Sequence, residues 1–156
     1  MSSAPDSREN TAVPDGGILF GSLFAQAAVG IAVASPEGRF VRANAALCRM
    51  LGFSEQELLQ KSVRDITHPE DLESNQELRG DLLSGKAQSR TYEKRYLRKD
   101  GSPIWVQIVA TAVRDKLGSL HCIVALVYDL TELKLAQDAL VEHRAGLTEE
   151  LDPERL

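Results

Sequence analysis

Between Ile18 and Ala27, the apolar residues Phe20, Leu23, Phe24 and Ala27 recur at i, i+3, i+4 and i+7, the spacing of one helix face. The pattern predicts a short N-terminal amphipathic helix over residues 18–28. "GIAVASPEGRFVRAN" then holds two apolar runs around Ser-Pro-Glu-Gly. Proline presets a turn dihedral and glycine accepts positive φ, so a hairpin is predicted. Short helical pieces follow: Asn44 is placed to cap Ala45 to Leu51, Gly52 to stop it, and Ser54 with Glu57 has the form of a capping box. Pro69 to Ser84 is a longer amphipathic helix, apolar at Leu72, Leu78, Leu82 and Leu83 and ended by Gly85.

After Gly85 the pattern becomes β. Three long runs, separated by "KDGS" and "DKLGS", predict a three-stranded antiparallel meander. The second and third hold Ile104, Val106, Ile108, Val109, Val113, Ile123, Val124, Leu126 and Val127, apolar enough to predict cover on both faces. Past Asp129 the helical period returns. Leu133, Leu140 and Leu147 are seven apart, a short heptad seam over residues 131–152. Residues 1–17 and 153–156 lack periodicity and are expected to be tails. The order of elements predicts an α+β fold: a five-stranded antiparallel sheet with short helices on one face, flanked by N- and C-terminal helices, its core spanning residues 29–130.

The chain has 156 residues, 43% of them hydrophobic, enough for one core and one domain. A net charge of -5 without a dense Lys/Arg tract argues against nucleic-acid binding. No apolar run approaches the roughly 20 residues of a membrane helix. Cys48 and Cys122 lie far apart in apolar surroundings, which favours buried thiols over a disulfide or zinc site. With no signal peptide, a cytoplasmic location is expected.

The lone histidine of "VRDITHPEDL" invites a chemical role. Pro69 suits the first helical position, and Glu70 and Asp71 complement the positive helix end, so His68 is expected at a turn. A metal site would need further ligands, and His121 and His143 fall on a strand and on the exit helix. No nucleophile–base grouping, paired acid/base carboxylates or phosphate-cradling loop emerges from the spacing, so no enzyme and no metal are expected.

"RANAALCRMLGFSEQEL", "HPED", "RKDGSPIWV" and "DLT", in that order, resemble a PAS domain of bacterial signalling proteins, over about Phe24 to Lys134. The resemblance implies sheet order 2-1-5-4-3, with the helices walling a pocket. It also implies a sensory and homodimerising module acting on an effector domain, such as a kinase or diguanylate cyclase, in a longer parent chain or a separate partner. Expected pocket residues are Met50, Leu59, Val63 and Ile66 from the helical wall, Leu78 and Leu82 from the long helix, and Ile108 and Leu126 from the sheet. The alternative is that they pack together as a filled core and the module serves assembly alone. Photoactive relatives carry a cysteine in a segment resembling "GRNCRFLQ". That position falls here on Val63, and no flavin adduct forms without a thiol. Haem-binding relatives use a histidine within the long helix, which has none here. No cofactor is therefore expected, and a small-molecule ligand is left unidentified.

Asp129 and Thr131 stand where the last strand becomes the exit helix, the junction that links sensor to effector in such proteins. Thr131 is expected to cap the helix and Asp129 to pair with a basic neighbour on the sheet. His143 lacks the Ser-His-Glu-Leu-Arg type of context of a phosphorylated kinase histidine. Two dimer surfaces are expected, Phe20, Leu23 and Phe24 on the first helix and Leu133, Leu140 and Leu147 on the last. Alternatively, Phe20 and Phe24 cover the protomer's own sheet.

Overall fold

The computed structural model describes residues 16–150, with side chains for 17–146. The expected tails lie outside the described residues, except that Gly16 and Gly17 already belong to the first helix. The elements are α1 (Gly16–Gln26), β1 (Gly30–Ala34), β2 (Phe40–Ala43), α2 (Ala45–Leu51), α3 (Glu55–Leu59), 3-10 turns at Arg64–Ile66 and Pro69–Asp71, α4 (Leu72–Ser84), β3 (Ser89–Leu97), β4 (Pro103–Arg114), β5 (Leu120–Asp129) and α5 (Thr131–Glu150). The five strands form one sheet in the order β2-β1-β5-β4-β3, antiparallel throughout. This is the α+β architecture that the sequence predicted, in the strand order that the resemblance implied.

Local chemistry accounts for the helix ends. Asn44 caps α2: its Oδ1 accepts from Leu47 N at 3.0 Å and from Ile31 N at 2.9 Å, and its Nδ2 donates to Val29 O at 3.0 Å. One side chain thereby closes a helix and ties it to β1. Ser54 and Glu57 form both bonds of the capping box on α3. Pro69 begins a single 3-10 turn, and the α-helix itself starts only at Leu72. His68 is the cap of that turn, its Nδ1 accepting from Glu70 N at 3.1 Å.

Helices cover the inner face of the sheet throughout and the outer face only in part, which corrects the expectation of strands buried on both faces. Along β4, Ile104, Val106, Ile108, Ala110 and Ala112 are buried beneath the helices, while Trp105 and Val113, of the opposite parity, are exposed. Strict side-chain alternation decides this: the valines of the outer face are apolar but only half covered. α1 lies against that outer face at its β1–β2 end. Phe24, 3% exposed, sits under the Arg42 guanidinium at 4.5 Å, with the Phe20 ring 5.8 Å away. The first helix therefore uses Phe24 on its own protomer, as in the alternative reading, and leaves Phe20 and Leu23 exposed.

Candidate functional site

The inner face of the sheet has an unusual floor. Antiparallel register places Ala110 opposite Ala125 and Ala125 opposite Ala32, three alanines abreast across β4, β5 and β1. Short side chains there cannot reach α4 opposite, and a cavity of about 50 Å³ remains between sheet and helix. Ile108, Ile123, Leu82 and Val63 complete its apolar walls. That volume holds roughly three or four waters or a ligand of a few heavy atoms.

The rest of the lining carries polar groups. β3 presents Tyr92, Lys94 and Tyr96 to it at the two-residue period of a strand. Lys94 is 2% exposed. Its Nζ donates to Asn75 Oδ1 at 2.7 Å and to Thr67 Oγ1 at 3.2 Å, and lies 4.6 Å from the Tyr96 ring centre and 5.8 Å from that of Tyr92. Burial pushes the ammonium down to about 7, partly opposed by the Asp71 charge. Burial likewise pushes the Tyr92 phenol up to about 12. Arg79 enters from α4, one turn after Asn75. Its Nη2 donates to Pro36 O, and its guanidinium lies on Gly38, where a Cβ would meet Nε at 3.4 Å. Gly38 also has φ +87°, so the position suits glycine twice over. Arg79 Nε is buried with no hydrogen-bond partner. Val63, Gly38, Asn75 and Arg79 also line an outer groove of about 210 Å³ beside Glu37 and Arg64, so these four residues separate cavity from surface.

Val63, Leu82 and Ile108 line this cavity. Ile66 is buried in the core without lining it. Met50 and Leu59 border separate surface depressions, because α2 and α3 pack at the β1–β2 end of the sheet. Leu78 is half buried beside the inward line of α4, which runs Asn75, Arg79, Leu82 at i, i+4 and i+7. Leu126 faces the outer side, since its neighbours Ala125 and Val127 point inward. Sequence reading missed Lys94, Asn75, Arg79 and the three alanines. The signal for Lys94 was present as Tyr-x-Lys-x-Tyr, a lysine sharing the strand face of two aromatics.

The turn at His68 fastens α4 to β3. His68 N donates to Arg95 O at 2.9 Å. The Asp71 carboxylate accepts from Arg95 N at 2.8 Å, Nε at 3.1 Å and Nη2 at 3.0 Å. Those Arg95 bonds hold the carboxyl below its ordinary range. A depressed carboxylate contributes stability above its unfolded value and loses it as pH falls through the folded one. Asp71→Ala is expected to lower unfolding stability by about 1–2 kcal/mol at neutral pH and to remove part of the loss on acidification. Urea titrations at pH 7 and pH 4 check this; equal losses for parent and variant on acidification would exclude the linkage.

Arg95 continues outward. Its guanidinium lies 5.0 Å from the centre of the Trp105 ring, and Lys134 of α5 lies 4.6 Å from the same ring while pairing with Glu93 at 2.9 Å. At the junction itself, Asp129 Oδ1 accepts from Thr131 N at 2.8 Å and from Thr131 Oγ1 at 2.5 Å. The carboxylate of Asp129 thus closes the start of the helix, the role expected of Thr131. Farther along α5, Leu133 and Leu140 are 49% and 50% exposed; the side chain of Leu147 lies outside the described residues. Among the described residues no group of three or more His, Cys, Asp or Glu could hold a metal ion, and no helix is long and apolar enough to cross a membrane.

A five-stranded antiparallel sheet in this order, holding a small cavity against the helices of its inner face, defines the class of fold. The chain belongs to the PAS domain family, whose match covers residues 28–132. It is 32% identical over 115 residues to the probable diguanylate cyclase DgcE of Escherichia coli (strain K12), covering 74% of this chain and 10% of that protein. It is 29% identical over 119 residues to the sensor histidine kinase TmoS of Ectopseudomonas mendocina, covering 76% of this chain and 12% of that protein. The crystal structure of a PAS domain from Colwellia psychrerythraea superposes with a TM-score of 0.70 at 19% identity, covering 76% of this chain and 99% of that one. The chain thus spans about a tenth of the curated relatives' length, and its homology to parts of signalling proteins supports a sensory module.

Proposed function

We propose that this chain is a ligand-responsive PAS sensory module of the bacterial signalling type, cytoplasmic and homodimeric, which passes its signal through α5 to an output domain or partner. The observation that carries this reading is the Lys94 ammonium, 2% exposed at the edge of an open cavity. Burying a charge opposes folding, and a core packed only for structure gains nothing from keeping one beside empty space. The clasp from Asp71 through Arg95, Trp105 and Lys134 supplies a continuous physical connection between α4 and the start of α5. An effector domain of kinase or diguanylate cyclase type is the partner this reading implies, by analogy with the relatives.

Native mass spectrometry of freshly purified protein, with its visible spectrum, tests the reading. Excess mass in a colourless protein supports a small-molecule sensor. Bare dimer mass that no added compound alters supports assembly alone. Absorption near 400 to 450 nm, roughly where haem and flavin absorb, would overturn the expectation of no cofactor. Val63 in the cavity wall, with Cys48 on α2 and Cys122 on β5, supports a site without adduct chemistry.

The second reading, a structural assembly module with no ligand, rests on the exposed Leu133 and Leu140 of α5 alone. Both readings use the exit helix as a dimer seam. Leu133→Asp combined with Leu140→Asp is expected to shift the light-scattering mass from dimer toward monomer. A mass unchanged from the parent would remove the exit helix from the interface.

A further inference from the structure

The lining of the cavity contains two cations, Lys94 and Arg79, and no carboxylate. Around Lys94, the turn at Thr67 offers a hydroxyl, α4 offers the Asn75 amide and Arg79, and β3 offers two tyrosine rings. The sheet floor from β4, β5 and β1 offers Ile108, Ala110, Ile123, Ala125, Ala32 and Ala34. Asp71 is the acid whose charge reaches Lys94, and its oxygens are occupied by Arg95. Two of the three ammonium donors are taken by Asn75 and Thr67, and the buried Nε of Arg79 has no partner. Apart from these groups and Gly38, the lining is aliphatic, with Leu82 and Val63 beside the sheet residues. A ligand that complements all of this carries one negative charge at one end and a short hydrocarbon tail at the other. Its size is bounded by about 50 Å³, room for roughly four or five heavy atoms.

Resting on the reading of this cavity as a ligand site, we propose that it binds a small aliphatic monocarboxylate. The carboxylate lies against Lys94, Asn75 and Arg79, and the tail lies on the floor formed by Ala32, Ala110 and Ala125. Arg79 and Gly38 stand between cavity and outer groove, so entry of the anion passes the guanidinium.

The probe is propionate, with propionamide as a neutral molecule of the same shape, followed by the alanine methyl resonances of the full chain. Propionate is expected to shift Ala110 and Ala125 with a dissociation constant of roughly 0.1–10 mM, the range open to a five-atom ligand. Propionamide is expected to bind at least tenfold more weakly. Lys94 is held near 7 by burial and must be charged in the complex. Propionate affinity on the parent is therefore expected to fall by up to tenfold per pH unit above about pH 7. That measurement needs no variant. Lys94→Met, which keeps the length and removes the charge, is expected to weaken propionate at least tenfold without weakening propionamide. Ala110→Leu, which keeps Lys94 and fills the floor, is expected to abolish binding of both. Equal affinity for propionate and propionamide, with no dependence on pH, would overturn the carboxylate while leaving a ligand cavity. No methyl shift with either compound would overturn both.

Discussion

Lys94→Met is expected to flatten the rise in stability that the parent shows between about pH 7 and pH 10. An unfolded lysine titrates near 10.4, whereas Lys94 in the fold is pushed down to about 7 by burial. In that window the unfolded chain binds a proton that the folded one does not, so unfolding stability increases with pH. The gain is on the order of 3 kcal/mol over the three pH units. Above pH 10 the tyrosines act oppositely: burial raises Tyr92 to about 12 and Tyr96 further, so the unfolded chain loses their protons first and stability falls. Comparing parent and variant from pH 7 to 10 by urea denaturation isolates the lysine. At pH 7 the variant is expected to be at least as stable as the parent, because the uncharged side chain removes the desolvation penalty. The loss of Nζ as donor to Asn75 offsets part of this by about 1 kcal/mol. A parent profile as flat as the variant's would mean that water reaches Lys94 and that its charge is not buried.

Asn44→Ala is expected to destabilise the fold by about 3 kcal/mol, the largest loss we anticipate from a single polar side chain here. Asn44 is 1% exposed and holds three backbone groups, Leu47 N, Ile31 N and Val29 O. Truncation strands two donors and an acceptor in a space water does not enter freely, and each stranded group costs about 1 kcal/mol or more. An ordinary exposed cap costs nearer 1 kcal/mol. Urea denaturation of Asn44→Ala against Ser54→Ala, the exposed cap of α3, gives the comparison. Equal losses would show that the bridge to β1 adds nothing beyond capping.

Both residues illustrate what can be read from a chain and what cannot. The capping role of Asn44 was legible because a cap acts within three residues. Its bonds to Ile31 and Val29, thirteen and fifteen residues back, were not. The hairpin and meander were legible from Ser-Pro-Glu-Gly, Asp-Gly and Leu-Gly turns, whose glycines take positive φ. The sheet order matched because the motif resemblance supplied the long-range pairing that turns alone do not specify. Leu126 shows the opposite case. In a nearly continuous apolar run, hydrophobicity does not say which residues face inward, and register settles it for Ala125 and Val127.

The local devices were legible along the chain: the Asn44 and Ser54 caps, the turns and the α+β class, because each rests on residues close in sequence. Where the sheet floor is shallow, and what stands over it, follows from packing between distant elements. Three alanines from three strands become a cavity only when register sets them abreast, and Lys94 becomes a buried ammonium only when α4 closes Asn75 and Arg79 over it. Burial and charge environment are properties of the assembled neighbourhood, and no single stretch of the chain contains them.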